Sequence, residues 1–234
     1  MAYGNRRVFA SLSCGFARGR VSVILGGSGS GKSTILRLIG GLVRPQAGEV
    51  MVDGQEVNRL SQRGLDLVRR KLGMMFQGGA LLDSYTVFEN VALPLREQRW
   101  QSEGEIAGAV HQILSDVGVS DADDLLPGEL SGGMLRRVAL ARAIVRKPQV
   151  LLCDEPFSGL DPLSIHRLQA LLMQFNRELA MTMIVVSHDI PSTMRMADHV
   201  LLILEGRVLG GSPEQLRESG DAEAAEFFRD GLER

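Results

Sequence analysis

Apolar positions along this 234-residue chain fall into two rhythms. Short continuous runs recur: Val21-Ser22-Val23-Ile24-Leu25, Gly73-Met74-Met75-Phe76, Val150-Leu151-Leu152-Cys153 and Met183-Ile184-Val185-Val186. Runs of this length without polar alternation read as strands buried on both faces of a parallel sheet. Between them lie stretches with apolar residues at helical spacing. These are Ile35-Leu36-Arg37-Leu38-Ile39, residues 65–72, the set Val87, Val91 and Leu95 with Pro94 as an interruption, residues 105–117, and Leu135 through Ile144. Strands alternating with helices predict an α/β fold around a mainly parallel sheet. Arg7-Val8-Phe9 and Leu12-Ser13-Cys14-Gly15-Phe16 alternate like an edge hairpin. Residues 48–54 read as a short strand ending in an Asp53-Gly54 turn. Residues 200–204, Glu205-Gly206 and Arg207-Val208-Leu209 read as a closing antiparallel hairpin, and residues 221–234 as a terminal helix. The expected division is one domain, with an α/β core over about 1–84 and 139–216 and a mostly helical insertion over about 85–138.

Composition narrows the classes. The chain is 44% hydrophobic and 23% charged, ordinary for a globular protein. Its 26 basic and 28 acidic residues leave a net charge of −2, which does not suggest a nucleic-acid partner. Cys14 and Cys153 sit in apolar, strand-like contexts and read as reduced, buried thiols of a cytosolic protein. No apolar run approaches the roughly 20 residues that span a bilayer, and no signal peptide precedes the fold. Any action at a membrane therefore goes through a partner. Asp121-Ala122-Asp123-Asp124 reads as a solvated turn. Trp100, within Arg99-Trp100-Gln101-Ser102, suits either a partner contact or half-buried packing.

The first run leads into Gly26-Gly27-Ser28-Gly29-Ser30-Gly31-Lys32-Ser33-Thr34, which fits the phosphate-loop pattern G-x-x-x-x-G-K-[ST]. Its glycines let backbone N–H groups turn toward phosphate oxygens, and the following helix N-terminus adds a partial positive charge. Lys32 then reaches the β- and γ-phosphates, and Ser33 offers a hydroxyl to Mg²⁺. Asp154 and Glu155 follow a buried run, at the strand end where open α/β sheets bind ligands. Asp154 suits a Mg²⁺-associated carboxylate, and Glu155 is placed to orient or deprotonate a water. His188 follows another core run and suits a γ-phosphate contact. Gln77, after the Phe76 strand, could offer a carbonyl to Mg²⁺ or sit in a surface loop. Ser131 is an N-cap candidate, and Gly132 and Gly133 allow close approach, making a second helix start able to hold an anion. Two such sites in one chain suggest a dimer in which one subunit's loop and the other's helix start clamp one γ-phosphate. Pro162 opens a helix after Ser158-Gly159-Leu160-Asp161. Tyr3 offers a flat ring for adenine stacking or is simply an exposed terminal aromatic.

In order along the chain, the phosphate loop, Gln77, Leu130-Ser131-Gly132-Gly133, Asp154-Glu155-Pro156, Gly159-Leu160-Asp161 and His188 resemble the motifs of ATP-binding subunits of ABC transporters. Tyr3-Gly4 is similar to that family's adenine-stacking aromatic. The resemblance implies a P-loop NTPase fold of the ABC ATPase type, with an antiparallel β edge and an inserted helical subdomain. It implies ATP and Mg²⁺ as ligands, with Asp161 and residues 131–133 near the nucleotide. It also implies a head-to-tail pair of ATPase subunits under a transmembrane permease. Residues 76–97, Leu38-Ile39-Gly40-Gly41 and the Met in Ser131-Gly132-Gly133-Met134-Leu135-Arg136-Arg137 are similar to the ATPase of MCE-type phospholipid transporters that maintain outer-membrane lipid asymmetry. That group implies an MCE-domain partner, phospholipid as cargo and a peripheral place on the cytoplasmic face of the bacterial inner membrane. The alternatives are export of lipoproteins or drugs and, less in keeping with a single phosphate loop and no basic excess, a soluble clamp on ribosome or nucleic acid. The chain departs from the family at Met134, usually Gln, and in lacking most of the first strand. From the phospholipid group it departs at Ser158 and Leu160, often Val and Gln, and in its shorter tail.

Overall fold

The computed structural model describes residues 1–3, 6–9, 11–98, 101–204 and 207–232. Its strands are β1 (Ala2–Tyr3), β2 (Arg6–Arg7), β3 (Val21–Gly26), β4 (Met51–Val52), β5 (Gln55–Glu56), β6 (Leu72–Met75), β7 (Val150–Asp154), β8 (Thr182–Val186), β9 (His199–Leu204) and β10 (Arg207–Gly211). The α-helices are α1 (Lys32–Ile39), α2 (Gln62–Arg69), α3 (Val87–Arg96), α4 (Glu103–Asp116), α5 (Gly132–Ile144), α6 (Pro162–Leu179), α7 (Ile190–Met194), α8 (Pro213–Arg217) and α9 (Ala222–Leu232).

The main sheet runs β10-β9-β3-β8-β7-β6. Only β10 is antiparallel to its neighbour; the other pairings are parallel. Every residue of β3 and β8 is buried. Helices cover both faces, which is why these strands carry no polar alternation. Period two still sorts them: Val21, Val23 and Leu25 join one cluster with Leu140, Leu168 and Leu172. Ile24 joins the opposite cluster with Ile35 and Leu36 of α1. Parallel strands carry all their C-terminal ends to one edge, so Gly26, Asp154 and Val186 finish side by side.

Helices α3 and α4 both begin with a capping box, Thr86 with Glu89 and Ser102 with Glu105, each satisfying two orphan N–H groups. Their apolar stripes, Val87-Val91-Leu95 and Ile106-Val110-Leu114, are buried against the cluster that also lines the sheet. Helix α5 belongs to both regions. Near its start Arg137 donates to the carbonyls of Val117 and Gly118 beyond α4. Its end lies on β6 so closely that a Cβ at Gly73 would stand 2.3 Å from the Ala143 carbonyl oxygen. Only glycine fits there.

Three expectations are corrected. Leu12-Ser13-Cys14-Gly15-Phe16 forms no strand; the terminal hairpin is β1 with β2, paired Ala2 to Arg7 and Tyr3 to Arg6. Leu12 and Phe16 instead lean as loop residues on the cluster around Ile24, so their alternation reflects packing without a ladder. Cys14 is exposed, whereas Cys153 is buried as expected. Pro94 does not interrupt α3, which continues to Arg96. Proline there removes one bond close to the helix end, and burial of Leu95, 4% exposed, keeps the last turn in register. Trp100 lies outside the described residues, as do Gly4 and the Glu205-Gly206 turn.

Burial pushes the Cys153 thiol up to about 12, so at neutral pH it carries almost no thiolate. An aromatic disulfide reagent should modify Cys14 in the native chain and Cys153 only in denaturant; equal native rates would contradict the burial. Asn90 is fully buried. Its amide accepts from Leu82 N at 2.8 Å and donates to the carbonyls of Leu82, Tyr85 and Thr86 at 3.1, 3.0 and 3.0 Å. Asn90→Leu should cost about 2–4 kcal/mol in urea unfolding, because Leu82 N and Tyr85 O lose their Asn90 bonds together, while Leu82 O keeps Tyr85 N and Thr86 O keeps the backbone N of residue 90.

Candidate active site

The loop after β3 closes on itself around a lysine. Gly29 and Gly31 take positive φ of 77° and 97°, and Gly31 caps α1 without any side-chain hydrogen bond. A helix start with no side-chain cap suits an incoming anion. Lys32, only 9% exposed, donates through Nζ to Gly26 O at 2.8 Å and Gly27 O at 2.9 Å. Burial pushes its ammonium below the ordinary lysine value, while the Glu155 and Asp154 carboxylates pull it back up. An ammonium has three protons, so two carbonyls leave one for an oxyanion.

The next residue reaches across two strands. Ser33 Oγ donates to Asp154 Oδ1 at 2.8 Å, and Asp154 closes β7 with 5% exposure. The chain then bends: Glu155 sits at φ 49°, in the left-handed region. That bend puts two consecutive carboxylates on one side of the sheet edge, which a continuing strand would not do. Glu155 N donates to Val186 O at 2.9 Å. Its Oε2 lies 2.8 Å from His188 Nδ1 and accepts from His188 N at 3.3 Å. A carboxylate only accepts, so a bond between these two side chains needs the imidazole proton on Nδ1. The Glu155 side chain is 12% exposed and that of His188 66%, so the pair spans the wall and mouth of the site.

Gln77 follows β6, whose register pairs Met75 with Cys153, and therefore stands level with Glu155 on the adjacent strand end. It is exposed. The turn behind it, Gly78 and Gly79 at positive φ, is gripped by Arg142, which donates to Gly79 O and Ala80 O, both at 2.8 Å.

Ser131, Gly132, Gly133 and Asp161 form a second group. Ser131 caps α5 by accepting from Met134 N at 3.3 Å. The Asp161 carboxylate caps α6, taking Leu163 N and Ser164 N at 3.0 Å and Ser164 Oγ at 2.6 Å. These bonds hold it below the usual carboxylate range. A Cβ at Gly133 would stand 2.8 Å from Ser164 Oγ, so the two helix starts abut. Tyr3 is described only by its backbone in β1, so adenine stacking lies outside what is described. Sequence reasoning singled out neither Arg136 nor Arg142; the available signal was a basic side chain beside the apolar stripe of a buried helix.

Mg²⁺ fits the donor set. Ser33 Oγ and Asp154 Oδ1 are hard oxygens 2.8 Å apart, close to the about 3 Å between adjacent ligands of an octahedron with bonds of roughly 2.0–2.1 Å. Among the described residues no cluster of three or more His, Cys, Asp or Glu could hold a metal alone. That suits an ion taken mainly by phosphate and water.

The model of the ABC transporter family matches residues 9–158. The intermembrane phospholipid transport system ATP-binding protein MlaF of Haemophilus influenzae is 42% identical over 227 residues, 97% of this chain and 86% of that protein. Its namesake in Escherichia coli K12 is 41% identical over 230 residues, 98% of this chain and 85% of that protein. Among solved structures, the dimer of the ATP-binding cassette MJ0796 bound to ADP and Pi is similar with a TM-score of 0.81 and 32% identity, covering 88% of this chain and 90% of that one. By motif order, strand-edge geometry and this similarity over nearly its whole length, the chain belongs to the ABC transporter family.

Proposed function

We propose that this chain is the ATP-hydrolysing subunit of a bacterial inner-membrane transporter that moves phospholipid between inner and outer membranes. It acts as one cassette, with the core over about 1–84 and 139–216, the helical part over about 85–138 and a terminal helix over about 221–234. The observation that carries hydrolysis is the convergence of Lys32, Ser33, Asp154, Glu155 and His188 on one sheet edge. The cargo rests on the 42% identity to a phospholipid-transport ATPase over 97% of the chain.

The chemistry follows from the charges. ATP hydrolysis spreads negative charge over the transferred phosphoryl, so catalysis is mostly placement and neutralisation. Residues 26–34 cradle the phosphates with backbone N–H groups, and Lys32 neutralises the β- and γ-oxygens. Ser33, Asp154 and Gln77 would hold Mg²⁺, which when bound offsets the same charge. Glu155 orients water in line with the γ-phosphate and accepts its proton, while His188 fixes the carboxylate and, with Gln77, senses the γ-phosphate. Ser131-Gly132-Gly133 and Asp161 act across a head-to-tail dimer, each pair of subunits enclosing two ATPs. The second helix start supports that reading through Gly132 and Gly133, which set backbone without side chains beside Ser131. Closing and opening of the dimer drive a permease docked near residues 77–95, with an MCE-domain protein as a further partner. Among the described residues no helix is long and apolar enough to cross a membrane.

Purifying the tagged chain from detergent-solubilised membranes, with mass spectrometry of what accompanies it, tests the cargo. A permease, an MCE-domain protein and phospholipid are expected; a lipoprotein or drug exporter would keep the ATPase and discard the lipid, and ribosomal proteins would overturn the transporter. Glu155→Gln should retain ATP while turnover falls by about 10²–10⁴, the range for loss of a positioned base; wild-type turnover would remove Glu155 from that role. Lys32→Ala should weaken ATP binding by roughly 10–100-fold, as expected for a charge-assisted bond, and unchanged affinity by calorimetry would contradict the loop assignment.

A further inference from the structure

Arg136 is a cation that the chemistry above does not use. It sits on α5, one turn beyond the Ser131 cap, and points inward. Its Nη2 donates to the carbonyl of Ser158 at 2.8 Å. Its Nη1 lies beside the turn after Gln77, 4.0 and 3.8 Å from where a Cβ would stand on Gly78 and Gly79. Its Nε is buried and, among the described residues, has no hydrogen-bond partner. Burial lowers its affinity for a proton. A guanidinium in such a place is costly, and a long apolar residue would fill it without that cost.

The loop it grips has a reason to need holding. Residues 155–161 begin at Glu155, a non-glycine residue at φ 49°. Left-handed backbone at such a residue persists only where its surroundings over-determine it. On the sheet side the restraint is Glu155 N to Val186 O at 2.9 Å. Inside the loop, Ser158 N reaches Glu155 O at 3.3 Å, and Phe157 is buried at 3% exposure. On the far side the restraint is Arg136. From that position the same side chain joins α5 to the loop that carries Glu155 and lies near the turn after Gln77.

We infer that Arg136 is a positioning residue for hydrolysis: by holding Ser158 O against α5 it fixes the loop that aims Glu155. The inference rests on the hydrolysis reading above. It differs from plain packing because it requires the Glu155 loop to loosen, and the chemical step to slow, without loss of nucleotide binding.

The test compares wild type, Arg136→Met and Arg136→Lys as full chains. Hydrogen–deuterium exchange without nucleotide reads the loop directly. In Arg136→Met, amides of residues 155–161 should exchange about tenfold faster, the factor that corresponds to one lost hydrogen bond to a charged group. Those of β8 should not change. Lysine can still donate to Ser158 O, so Arg136→Lys should restore most of the protection. In steady-state hydrolysis Arg136→Met should lower kcat by about tenfold with KM for ATP within twofold, and Arg136→Lys should recover kcat. Unchanged exchange at residues 155–161 would overturn the inference, as would faster exchange with wild-type kcat. A parallel change of kcat, KM and melting temperature would make Arg136 a packing residue only. A wild-type chain without turnover would overturn the hydrolysis reading and the catalytic half of this one, while the exchange result would still decide whether Arg136 holds the loop.

Discussion

Burying one ammonium organises this molecule. Lys32 is 9% exposed at the edge of a sheet otherwise built from aliphatic side chains. A charge there is tolerable only if it is hydrogen-bonded and electrically compensated. The loop meets the first demand by folding Gly26 and Gly27 carbonyls onto Nζ, which requires a backbone free to curl. The parallel sheet meets the second, because β3 and β7 both end at this edge, with β8 between them, and bring Asp154 and Glu155 near the cation. The compensation is partial by design of the chemistry: carboxylates near enough to support Lys32 would also repel a triphosphate. Asp154 is drawn aside by Ser33 and Glu155 by His188, so the negative groups are occupied while the lysine keeps a proton to offer.

Helix α5 solves a different problem. A helical region inserted between two halves of a core must not drift relative to the chemistry it serves. One apolar cluster runs without a break from β3 and β7 through α5 to α3 and α4. Apolar packing alone, being non-directional, would set distance and leave orientation loose. Orientation comes from arginines that donate to main-chain carbonyls: Arg137 to the end of α4, Arg142 to the turn behind Gln77, Arg136 to the loop beyond Glu155. Guanidinium groups suit this because their donors are fixed in a plane and they stay charged when buried.

The parts legible in the sequence were those governed by local rules. Strands buried on both faces announce themselves as unbroken apolar runs, and β7 and β8 stand within a residue of where the runs place them. The phosphate loop, the Ser131 cap and the helix opening at Pro162 are likewise local, since each depends on a few adjacent residues. Leu12 and Phe16 misled because a loop lying on a core can show strand-like alternation with no ladder partner, and Cys14 shared that error. Pro94 misled because the penalty of proline depends on how near the helix end lies, which is a tertiary outcome. Arg136 and Arg142 were invisible for the opposite reason: their partners are carbonyls 22 and 62–63 residues away, and a carbonyl has no sequence signature.

The starts of α1 and α5, both proposed above to meet phosphate, are not equivalent. The start of α1 has no side-chain cap and is bound to the catalytic edge through Ser33 and Asp154. The start of α5 is capped by its own serine through a 3.3 Å bond and packs against the start of α6. Yet α5 is tied to the catalytic edge as well, one turn further on, through Arg136 and Ser158 O. A group that docks on Ser131 and the two glycines after it therefore acts on a rigid helix whose next turn holds the loop of Glu155. Helix α5 thus carries, about one turn apart, the Ser131 start and the donor that reaches the loop after Glu155.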